Sequence, residues 1–154
     1  MRHRGRVLLG VGLVLVTGGV AAAVVLVLRS GDESLTPAQY LARADAACQP
    51  YSRQLDRIAP PNPGSTKDVA ASVGRALPIL QQQADAVRKI HPPRELEQRV
   101  LAFFERTDRS LADLRAVLEA ARRNDAKAMG PRLGAWFQAS DAAQTASKRV
   151  GYHC

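Results

Sequence analysis

A chain of 154 residues has room for one domain with a core of modest size. Its hydrophobic share of 46% and charged share of 23% belong to a folded protein and exclude an intrinsically disordered one. The formal charge of +8 does not mark a nucleic-acid binder, because it is concentrated in Arg2, Arg4, Arg6 and Arg29 around an apolar N-terminal segment, and no basic tract with interleaved aromatics follows.

In chain order, residues 1–6 are a basic tail and residues 7–28 run without a charge. As a helix the second stretch is about 33 Å long, enough to cross a hydrocarbon core of about 30 Å. The basic tail predicts a cytoplasmic N-terminus, with all that follows outside the cytoplasm. The competing reading is a cleaved signal peptide, with Ala21, Ala22 and Ala23 as its small-residue cleavage site. The apolar run continues five residues past those alanines, which favours an uncleaved transmembrane anchor. Residues 29–35 read as a short polar tether.

Residues 36–154 then carry four helical patterns. Thr36, Pro37 and Gln39 make an N-cap, a first-turn proline and a capping box. Tyr40, Leu41, Ala44, Ala47, Cys48, Tyr51, Leu55 and Ile58 follow at helical spacing. "APPNPGST" ends this helix, and Ser65 or Thr66 caps the next. The second stripe is Val69, Val73, Ala76, Leu80, Ala84 and Val87, with Pro78 as an expected kink. The third helix starts at Pro93 or Arg94 and carries the strongest pattern, from Leu96 through Phe103 and Phe104 to Leu118 and Ala121. Asn124 is expected both to end it and to cap the fourth helix, whose regular part starts near Pro131. Gly151 suits the left-handed residue that closes that helix. The predicted fold is all-α: an antiparallel up-down four-helix bundle preceded by one transmembrane helix. In it, the first and fourth helices are antiparallel neighbours.

The two cysteines are Cys48, inside the first stripe, and Cys154, the final residue. Outside the cytoplasm an intramolecular disulfide is their expected state. It requires "GYHC" to fold back along the first helix, or the fourth helix to stop short. The alternative is a buried thiol at Cys48 with Cys154 free or paired between chains.

No catalytic constellation is evident. The sequence lacks a G-x-S-x-G elbow, a P-loop and the E-x-x-H pairs of di-iron bundles. His3, His91 and His153 have no metal-ligand partner at suitable spacing, and the adjacent His153–Cys154 pair is weak as a metal signal. Asp45, Glu105, Asp108, Arg109 and Asp113 fit surface pairing on helices. No cofactor, metal or nucleic-acid partner is expected. Trp136 and Phe137 point about 100° apart, so one is expected in the core and the other is a candidate partner contact.

"YLARADAACQPY", "HPPRELE" and the terminal "GYHC" resemble small membrane-anchored or secreted helical proteins of high-GC Gram-positive bacteria. Those proteins pair an alanine-aspartate-x-x-cysteine helix with a glycine-x-x-cysteine tail. The resemblance implies a disulfide-closed helical bundle on the cell surface and implies no reaction. The expected role is therefore a non-enzymatic, membrane-tethered extracytoplasmic module for protein interaction or the cell envelope. The alternative is a helical bundle that binds a small molecule or lipid, or senses one, at the cell surface.

An uncleaved anchor makes a clear prediction. A chain tagged before Met1 should resist alkaline extraction from membranes and keep its tag at full intact mass. A mature species that starts near Val24 would identify a signal peptide instead.

Overall fold

The computed structural model describes residues 35–153. They form α1 (Pro37–Leu55), α2 (Thr66–Arg88), α3 (Arg94–Arg122) and α4 (Ala126–Val150), with no strand among the described residues. The expected basic tail, the anchor at 7–28, the tether through Ser34 and Cys154 lie outside the described residues. Among those described, no helix is long and apolar enough to cross a membrane.

The helix starts follow from local chemistry. Thr36 Oγ1 accepts from the Gln39 amide at 3.3 Å, and Gln39 Oε1 accepts from the Thr36 amide at 3.0 Å. That reciprocal pair satisfies two donors left open at the N-terminus of α1. Ser65 Oγ accepts from the Asp68 amide at 3.2 Å and starts α2. Pro93 precedes α3 without a side-chain cap, and Glu95 and Glu97 sit in the first turn, where the helix dipole favours them.

Two expectations change. Asn124 ends α3 in the left-handed region at φ 56°, but the cap of α4 is Asp125, whose Oδ1 accepts from the Ala128 amide at 2.9 Å. One residue cannot hold the left-handed bend and the extended-side cap geometry together, so the work is divided between neighbours. Also, α4 does not wait for Pro131 but runs through it from Ala126. Pro131 is exposed in the second turn, so its ring meets solvent and only one backbone bond is lost. Pro78 is likewise exposed, and α2 is one continuous helix through it.

Successive helices run antiparallel. Gln83 of α2 reaches Ser52 while Ser72 reaches Ala59, and Arg88 of α2 meets Asp108 while Gly74 lies against Leu118. The Arg99 guanidinium approaches the Arg149 carbonyl at 3.5 Å, so α3 and α4 follow the same rule. The packing of α3 on α4 is the most extensive, followed by α2 on α3 and α1 on α2. Packing of α1 on α4, the expected neighbours, is sparser than that between successive helices, although Val150 shares a core cluster with Tyr40, Ala44 and Cys48. The arrangement is compatible with a four-helix bundle left open along one side.

The core divides accordingly into two clusters. One gathers Val69, Val73 and Leu77 of α2 with Leu114, Val117 and Leu118 of α3 and Met129 of α4, and takes nothing from α1. The other joins Tyr40, Ala44 and Cys48 of α1 to Val87, Val100, Phe104, Val150 and Tyr152. In that second cluster the chain behind α4 closes the structure. Gly151 adopts φ 101°, and the Gly151 and Tyr152 amides both donate to the Ser147 carbonyl, at 3.0 and 3.2 Å. This is a Schellman-type ending, and it turns the tail onto α1.

Gly151 is required twice over. A side chain there would be strained by the backbone, and its Cβ would lie 3.3 Å from a Leu41 methyl carbon. Gly151→Ala should destabilise the fold by about 1–3 kcal/mol. Gly134→Ala, in a helix interior with nothing within 4 Å, should instead stabilise it by about 0.5–1 kcal/mol. Thermal or urea unfolding of the two variants checks the opposite signs.

Candidate functional site: an uncharged groove beneath the tail clasp

The open side of the bundle is a groove of about 360 Å³, within the range of small-molecule sites. From α4 its wall is Trp136, Ser140, Ala143, Gln144 and Ser147, spaced so that they share one face. From α3 it is Phe103, Thr107, Ser110, Leu111 and Leu114, with the same spacing. Leu80, Gln83, Ala84 and Val87 of α2 face them, and Cys48 and Tyr152 close one end. None of these sixteen residues is charged.

The groove exists because the inward positions between the two core clusters are small or polar. Ser140 is half-buried and Gln144 exposed on the groove side of α4, so α4 presents little apolar surface there. Gln83 compensates partly: its amide donates to Ser52 Oγ at 3.1 Å and to the Cys48 carbonyl at 3.4 Å, tying α2 to α1. Thr107 Oγ1 donates to the Phe103 carbonyl at 2.9 Å. The side chains of Ser110, Ser140, Gln144 and Ser147 make no hydrogen bond to another described residue. They line the groove as available donors and acceptors.

The clasp that closes one end is built from Tyr40, Asp45, Tyr152 and His153. Tyr40 is fully buried and Tyr152 nearly so, and their hydroxyls share a hydrogen bond. The ring of Phe103 meets Tyr152 edge-on at 5.1 Å between centroids. The His153 amide then donates to Asp45 Oδ1 at 3.0 Å. Tail residues 152 and 153 thus advance along α1 from Tyr40 to Asp45, toward Cys48. Cys48 is fully buried, is not a free thiol, and has its Sγ 3.3 Å from the Asp45 carbonyl. Its proposed partner, Cys154, lies outside the described residues.

The structure thus realises the fold-back of "GYHC" along α1 as far as His153. It gives Asp45 a tail-holding role instead of surface pairing within a helix. Trp136 is half-buried against the first core cluster and in the groove wall, whereas Phe137 is 60% exposed. Asp108 accepts from Arg88 at 2.7 Å, an exposed pair between α2 and α3 that is worth little. Among the described residues, no group of three or more His, Cys, Asp and Glu side chains is placed to hold a metal.

Sequence reasoning missed the Tyr40–Tyr152 pair and the polar stripe on α4. Its signal was the helical spacing of Ser140, Gln144 and Ser147, which puts three polar residues on one face of α4.

Burial is the main reason both tyrosine hydroxyls are pushed above their ordinary value, and the Tyr40 contact and the Asp45 charge raise Tyr152 further. The folded state therefore holds both protons above pH 10, where the unfolded chain releases them. The clasp's contribution should be complete below pH 10 and decline as pH rises above it. In Tyr40→Phe or Tyr152→Phe, the unfolding free energy should drop by about 1 kcal/mol at pH 7 and the alkaline decline should flatten. Urea unfolding followed from pH 7 to 11 reads both effects.

No protein-family model, curated protein or solved structure matches this chain.

Proposed function

We propose that this chain is a non-enzymatic, membrane-tethered extracytoplasmic module whose helical domain binds a ligand in the groove between its two core clusters. The observation that carries this reading is the groove itself: every helix contributes to its wall, Ser110, Ser140, Gln144 and Ser147 line it without a hydrogen bond to another described residue, and none of its lining residues is charged. A groove that is only a packing fault would be expected to collapse onto apolar side chains; this one is lined by hydroxyls and amides at helical spacing. The anchor at 7–28 supplies the tether, and the Cys48–Cys154 bridge completes the clasp. The buried, non-free Cys48 and the direction of the tail toward it support that bridge. In this reading the cysteines close the fold and take no part in redox chemistry.

Of the two roles that the sequence suggests, the geometry favours ligand binding over a purely protein-interaction role. Exposed Phe137, its ring tilted against Trp136 at 4.9 Å between centroids, supports a protein contact beside the groove as a second reading.

Thermal unfolding of the full chain against a lipid extract of its host membranes tests the proposal. A ligand present at about a hundred times its Kd adds about 2.7 kcal/mol of stability. The resulting rise in Tm should be lost when Ala143→Phe fills the groove. A single protein recovered repeatedly by crosslinking in native membranes, with no such rise, would favour the second reading. The bridge fails if the unreduced, unfolded chain reacts with a thiol reagent at both cysteines.

A further inference from the structure

From the chemistry of the wall, we infer that the groove selects an uncharged amphiphile: a single aliphatic chain with a hydroxyl- or carbonyl-bearing head, of the monoacylglycerol type. This rests on the ligand-binding reading above and adds the class of ligand.

Three observations carry it. First, no Asp, Glu, Lys, Arg or His is among the sixteen lining residues, although charged residues make up 23% of the chain. Other depressions on the surface do carry charge: Glu105, Arg106, Arg109 and Asp113 border one between α3 and α4. A carboxylate or phosphate in the groove would lose water and meet no countercharge, which is costly. Second, the polar groups are placed for a head and not for a fully apolar molecule. Ser110, Ser140, Gln144 and Ser147 offer hydroxyls and an amide that a hydroxyl or ester can use both as donor and as acceptor. Leu80, Leu111, Leu114 and the Trp136 ring supply the apolar surface that an aliphatic chain needs. Third, the size fits. A groove of about 360 Å³, open along one side, takes a small head with the first part of a chain and leaves the rest of the chain room to run out along the opening.

Trp136 is the chain's one tryptophan, so its fluorescence reports on the groove directly. The full chain in phosphatidylcholine nanodiscs is titrated with a monoacylglycerol brominated on its acyl chain, and separately with the matching brominated fatty acid at pH 8. Saturable quenching of Trp136 by the neutral lipid is expected. The carboxylate should need a concentration at least about ten-fold higher. Ala143→Phe should abolish quenching by both, with Ala143→Leu as a milder block should the first variant unfold. Ser140→Lys should reverse the preference, because the new ammonium pairs with the carboxylate. Equal potency of the two lipids in the unmodified chain, or no reversal in Ser140→Lys, overturns the uncharged class while the groove remains a binding site. Quenching that Ala143→Phe and Ala143→Leu leave unchanged, or no quenching at all, overturns the groove as a site and the ligand class with it.

Discussion

The contact on which this architecture depends is the docking of Tyr152 beside Tyr40. Packing between α1 and α4 is sparse, and at the end where Val150 shares a core cluster with Tyr40, Ala44 and Cys48 the tail crosses from α4 to α1. The second core cluster draws on that crossing as well as on α1, α2 and α3. Tyr152 fills the space between α1 and α3, Phe103 packs on its ring, and His153 fixes the tail to Asp45. Burying two hydroxyls is tolerated because they satisfy one another. Gly151 is the backbone condition for the whole arrangement.

The groove is the complement of that clasp. A bundle with apolar residues at 140 and 144 would draw α1 against α4 and close along its length. Serine and glutamine at those positions weaken that attraction, and the interior remains open between two well-packed ends. Closure of the bundle and an open groove thus depend on the same residues of α4. The clasp reconciles them by closing one end and leaving the middle accessible.

Much of the fold was legible because helix caps and apolar spacing act locally. Thr36 with Gln39, Ser65 with Asp68, and Gly151 all act as their residue types predict. The division of labour between Asn124 and Asp125 was less legible, since both residues suit either task and only the backbone decides. The sparseness of α1–α4 packing was less legible still. Helical spacing identifies a face but not the helix that covers it, and the alanine-rich stripe of α1 fits α2 as well as α4. The candidate site was hidden for a related reason. Ser140, Gln144, Ser110 and Thr107 come from two helices, and only their juxtaposition makes them a wall.

The Tyr40–Tyr152 contact also bears on how the molecule assembles. It joins residues 112 positions apart, whereas α2, α3 and α4 meet through successive short connections. Low-separation contacts form quickly, and distant ones wait for the chain to be ordered. The three later helices can therefore associate first, leaving α1 held at one edge by α2 until the tail arrives. The last contact to form is then also the contact that finishes the groove, so a chain that has not closed its ends has no complete site to offer.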